Sequence, residues 1–162
     1  MSDPMLRSAV TSGCGRFRYL LSRQWGADGH RLAFVMLNPS TADAIYDDPT
    51  IRRCIGFGQR LCYAAVDVVN LYAYRATKPA DLRTAGWPRG PENDAYIERA
   101  CRGAHMVICA WGTNAARMAR AGEVLEIIKG TGKTPMALRI TNGVPHHPLM
   151  LPYECAPVEF PR

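Results

Sequence analysis

Residues 32–49 read LAFVMLNPSTADAIYDDP. The apolar run 32–37 has the length and composition of a buried strand, and it stops at Asn38-Pro39-Ser40-Thr41. A polar loop carrying Asp43, Asp47 and Asp48 follows. Pro49 then suits the first turn of a helix, where its missing N–H would have no intrahelical partner. In an open α/β sheet, ligands sit just beyond the carboxyl ends of the strands. The junction at Asn38 is therefore the first place to look for chemistry, although the same residues also make ordinary turns.

Outward from this stretch, the same alternation continues. Residues 17–25 (FRYLLSRQW) form a second apolar run, joined to the first by the turn signal GADG at 26–29. That pattern predicts a hairpin, with an antiparallel strand at the N-terminal edge. Residues 1–13 read as a loose lead-in. Helical periodicity covers 49–63, with Asp47 or Asp48 placed to cap it. A strand over 64–71 contains Asn70, and a long loop over 72–89 has room for a helical turn at 79–82. Residues 90–94 (GPEND) open a second helix that runs to about 102, with Asn93 and Asp94 as helix-start residues. A strand over 105–111 turns at Gly112-Thr113-Asn114 into a helix over about 115–129. A last strand over 135–140 leads to a polar run through His146 and His147, and 152–162 read as an irregular tail. Strands alternating with helices predict one domain over 1–162, a three-layer α/β/α fold. Its expected centre is a four-stranded parallel sheet, with the antiparallel N-terminal edge strand added.

Composition narrows the function classes. With 162 residues, 48% of them apolar and 21% charged, the chain is an ordinary globular domain with a real core. No apolar run approaches the roughly 20 residues of a membrane helix, and the first residues lack a signal peptide's basic and apolar regions. The expectation is a cytoplasmic protein with no membrane partner. A formal charge of +6 permits a polyanionic partner, but the arginines are scattered. The six cysteines form no C-x-x-C pair, and no ligand spacing suggests a metal or other cofactor. The oligomeric state is not legible.

The informative feature is positional. The central strands carry Asn38-Pro39-Ser40-Thr41, Asn70, Trp111-Gly112-Thr113-Asn114 and residues 142–147 at or beyond their carboxyl ends. In a parallel sheet these ends share one rim, which predicts a ligand pocket. The rim has amides, hydroxyls, carboxylates and two histidines, with no phosphate-binding Gly-rich loop and no Gly-x-Ser-x-Gly elbow. Asparagines with a histidine suit a planar ligand with donors and acceptors, such as a nucleobase.

The motifs MLNPSTAD, DDPTIRRC, VVNLYAYRAT, GPEND, AWGTNA and VPHHPLML together resemble a bacterial domain-of-unknown-function family, number 1643, over residues 16–152. That resemblance implies kinship without an activity. More distantly, the order of motifs is similar to that of the uracil-DNA glycosylase superfamily, in its mismatch-specific branch. The second resemblance implies a sheet of that type. It implies that Asn38-Pro39 holds the attacking water, Asn70 reads the base edge, Trp111-Gly112 closes the third strand, and His147 supports the departing base. The closing motif departs from the superfamily's in lacking a serine between two prolines.

The resulting expectation is a nucleobase N-glycosidase acting on DNA, a nucleoside or a nucleotide. Asn38, Asp43 and His147 are its expected catalytic residues. Pro39, Ser40, Thr41, Asn70, Trp111, Gly112, Asn114 and His146 are expected to line the ligand. One alternative is a module that binds a nucleotide or modified base without turning it over. Another is a metal-assisted hydrolase using Asp43, Asp47, Asp48 and His147.

Overall fold

The computed structural model describes residues 4–115 and 118–161. Along them run β1 (Leu6–Thr11), β2 (Arg18–Gln24), β3 (Arg31–Met36), α1 (Pro49–Arg60), β4 (Ala65–Asn70), α2 (Pro79–Thr84) and α3 (Asn93–Gly103). Then come β5 (Met106–Cys109), α4 (Ala119–Gly130), β6 (Pro135–Ala137), β7 (Ile140–Thr141), β8 (Val144–Pro145) and β9 (Val158–Glu159). Seven strands form one mixed sheet in the order β1-β2-β4-β3-β5-β6-β9. β3 runs parallel to β4 and β5, and β5 parallel to β6. β1 with β2, β2 with β4, and β6 with β9 are antiparallel.

Apolar residues cover both faces of the central strands, as buried parallel sheets require. Leu32, Phe34 and Met36 of β3 pack with Ile51, Cys54 and Phe57 of α1 on one face. Ala33 and Val35 point the other way, toward Ile97 and Cys101 of α3 and Val124 and Ile128 of α4. Helices therefore cover both sides of the sheet.

Three expectations need correction. The sheet has seven strands rather than five. β1 lies inside the expected lead-in and β9 inside the expected tail; residues 1–3 and 162 of those segments lie outside the described residues. β1 buries neither face, so it shows no apolar alternation to read. β2 is antiparallel as expected, yet it pairs with β4 and β1 and is not an edge. The 26–29 turn carries the chain across β4, where Trp25 and Gly26 donate to the Ala64 carbonyl. Finally, Thr113–Ala115 is a single 3-10 turn and α4 starts at Ala119, with residues 116 and 117 of the expected helix outside the described residues.

One irregularity sets up the site. Val10 pairs with Leu20 and Thr11 with Arg18, so Tyr19 is an extra residue, a β-bulge in β2. Leu21 faces α1 and Leu20 faces the α3 side. Strict alternation would turn Tyr19 toward α1 and Arg18 away from it. Instead Tyr19 stacks on Tyr96 of α3, with ring centroids 5.2 Å apart, and Arg18 reaches the α1 side. Bulges re-aim side chains in this way.

Candidate functional site

The strand order reverses between β3 and β5, because the crossover from β3 goes to β4 on one side and β5 lies on the other. Such a reversal opens a crevice at the carboxyl ends of the two strands. A cavity of about 360 Å³ lies there, within the range of small-ligand sites, roughly 300–1,000 Å³. Its walls include Asn38, Pro39, Ser40, Asn70, Trp111, Gly112, Asn114 and His147. Eight of the expected site residues thus share one cavity.

Local structure explains their placement. Asn38 donates through Nδ2 to the carbonyls of Pro39 (3.0 Å) and Ala76 (2.8 Å), and Ala76 N–H returns a bond to the Pro39 carbonyl. This latch fixes the carboxamide, and Oδ1 takes no hydrogen bond among the described residues. Asn70 ends β4 and is only 1% exposed. Its Nδ2 is buried with no partner. Its carbonyl is held by Nδ2 of Asn93 at 2.9 Å, so the first residue of α3 positions the end of β4. Trp111 is buried edge-on against Phe160.

His147 follows the β7–β8 hairpin, whose turn residues Asn142 and Gly143 both have positive φ, the signature of a tight Asn-Gly turn. Nδ1 of His147 accepts from the Leu149 N–H at 3.2 Å. An accepting Nδ1 places the proton of a neutral imidazole on Nε2. Burial pushes the His147 pKa down, with the nearby Asp48 charge opposing it, so the neutral form is favoured. Gly112 N–H donates to the Pro145 carbonyl at 3.0 Å, knitting the Trp111 and His147 loops together.

The remaining expected residues lie elsewhere. Thr41 is exposed and outside the cavity wall, and His146 bonds Thr141 Oγ1 through Nε2 at 2.7 Å in an adjoining hollow. Asp43 is also not brought to the cavity. Its Oδ1 accepts the N–H groups of Tyr46 and Ile45, both at 2.8 Å, which hold its carboxyl below the usual range. Asp47 binds Arg7 (2.9 Å) and Arg23 (2.8 Å). Asp48 alone of the three lines the cavity, while its carboxylate caps α1 through Ile51 N–H (2.9 Å) and accepts Ala42 N–H (3.3 Å). Among the described residues no group of three His, Cys, Asp or Glu side chains converges as a metal site would require.

Sequence reasoning missed Arg18, which lines the cavity at 2% exposure. Nothing in residues 16–25 (RFRYLLSRQW) separates it from Arg16 or Arg23, because its direction depends on the bulge.

A mixed α/β sheet with a cavity at its strand-order reversal defines the class of the protein. The chain belongs to the family described as "Protein of unknown function (DUF1643)", whose model matches residues 18–149. No curated protein and no solved structure matches the chain. No described helix is long and apolar enough to cross a membrane.

Proposed function

We propose that the cavity binds a nucleobase and that the protein is an N-glycosidase, with the uracil-DNA glycosylase-like plan and cytoplasmic setting implied by its sequence. The carrying observation is Asn70. A buried amide donor without a partner costs free energy, and its cost is recovered only when something in the cavity accepts from it. The carbonyl edge of a base offers such an acceptor. The fixed Asn38 carboxamide leaves Oδ1 to orient a water toward the sugar carbon. As the C–N bond breaks, the base leaves with the bonding electrons. Neutral His147 donates Nε2–H to its developing oxyanion, an electrostatic stabilisation of the departing group. Asp48 takes the role first expected of Asp43. Its carboxylate accepts the water's proton and faces the cationic sugar.

Incubation with uracil-, mismatch-, hypoxanthine- and alkyl-containing DNA, and with nucleosides and nucleotides, tests the reading by mass spectrometry of released base. Release by wild type that is lost in the Asn38→Ala, His147→Ala double variant supports a glycosidase. One observation favours a second reading, a binding module. Both oxygens of Asp48 already accept backbone N–H groups, which weakens it as a base. Retained ligand with no released base would favour that reading.

A further inference from the structure

Among the described residues three arginines are buried: Arg18, Arg23 and Arg120. Arg23 pairs with Asp47, and Arg120 with Asp94 and Glu123. Arg18 has no carboxylate at ion-pair distance among the described residues. Its Nη1 donates to the Ala42 carbonyl at 2.9 Å, and its Nε is buried without a partner. Ala42 also donates its N–H to Asp48, so one peptide segment sets both charged groups at the cavity wall. Burying an unpaired charge is costly, and a fold that needed only packing there would do better with an apolar side chain. Arg75, whose Nε lies 3.5 Å from the Ser40 carbonyl, adds a second positive charge nearby. Burial and those neighbouring cations lower the Arg18 pKa to about 10, with Asp48 opposing, so it stays charged at neutral pH.

We infer that Arg18 forms an oxyanion subsite in this cavity, and that the ligand brings a phosphate or carboxylate into it beside its planar, base-like part. This deepens the nucleobase reading and rests on it. A residue 2% exposed is reached only by a group that enters the cavity, so Arg18 is not a clamp for duplex phosphates, which stay outside. The geometry therefore favours a small anionic ligand, such as a nucleoside monophosphate or a carboxylated base, over a base flipped from DNA.

The test compares charged and neutral members of two ligand pairs, by calorimetric titration and by melting shift. The pairs are nucleoside 5′-monophosphates against their nucleosides, and orotate against uracil, with inorganic phosphate as the minimal probe. Wild type is expected to bind one charged member roughly 100-fold more tightly than its neutral partner, the scale of a charge-assisted bidentate contact. Preference within the first pair identifies a nucleotide, and within the second a carboxylated base. Arg18→Met should abolish the preference while leaving the ligand-free melting temperature unchanged or raised. Arg18→Lys should recover part of it. Equal affinities in wild type, or no charged probe binding at all, overturn the inference. So does an Arg18→Met variant that melts lower yet keeps the preference. These readouts need no turnover: absent base release refutes the glycosidase alone, and absent charge preference refutes the subsite alone.

Discussion

Replacing Asn70 with leucine removes a buried amide while keeping a side chain of similar length. The unpartnered Nδ2 costs the folded state about 1–3 kcal/mol. Leucine carries no such donor, and it would sit beside Met36 and Val68 in the same cavity wall. The bond from Asn93 to the residue 70 carbonyl is a main-chain contact and survives the change. A gain of about 2 kcal/mol is expected, which in a chain of this size raises Tm by about 4–8 °C at roughly 2–4 °C per kcal/mol. Ligand binding should be lost at the same time. Thermal unfolding followed by circular dichroism, paired with the ligand titrations above, checks both halves. A fall in Tm beyond about 2 °C would refute the reasoning, since it would mean that the carboxamide is already satisfied in the ligand-free protein.

Asp48→Ala removes the α1 cap and the bond to Ala42, and should cost about 2 kcal/mol. Asp48→Asn keeps a capping oxygen and should cost less than half of that in the same melting assay. For His147 the folded pKa is depressed, so the unfolded chain binds a proton more readily. Stability is then complete above about 6.5 and falls as pH drops toward the lower folded value. Urea unfolding from pH 8 to 5 should show that limb, and His147→Gln should flatten it; an unchanged slope would remove His147 as its source. A Cβ at Gly56 would overlap the Tyr153 ring, which also stacks under Arg53 with the guanidinium 4.0 Å from its centroid. Gly56→Ala should therefore cost about 1–2 kcal/mol after the helix-propensity gain. In a Tyr153→Ala background the same change should turn neutral or stabilising, and simple additivity would contradict the packing argument.

The parallel strands were legible because burial on both faces writes itself as uninterrupted apolar runs, as in Leu32 to Met36. α1 was legible from its 3.6-residue period, with Ile51, Cys54, Ile55 and Gly58 all buried. Pairing was not. The adjacency of β2 to β4 depends on what β3 already binds on both sides, which no local signal carries. The polar strand ends announced the cavity, yet the loop aspartates could not be sorted from sequence. Asp43 is spent on its own turn, while Asp47 meets Arg7 across 40 residues and Arg23 across 24. Three similar residues in one loop therefore do three different things. Arg18 stayed hidden for the same reason, since a one-residue irregularity decides which face it joins.

That irregularity also makes the pocket's charge a matter of chain length. Inserting one residue between Val10 and Thr11 would give Tyr19 a partner, restore regular pairing between β1 and β2, and swing the guanidinium through the sheet to the α3 side. The strands, helices and crevice would survive, but the cavity would lose its cation. Within this architecture, a single-codon insertion in β1 between Val10 and Thr11 can convert a cationic pocket into a neutral one in one evolutionary step, without a substitution at any residue that lines it.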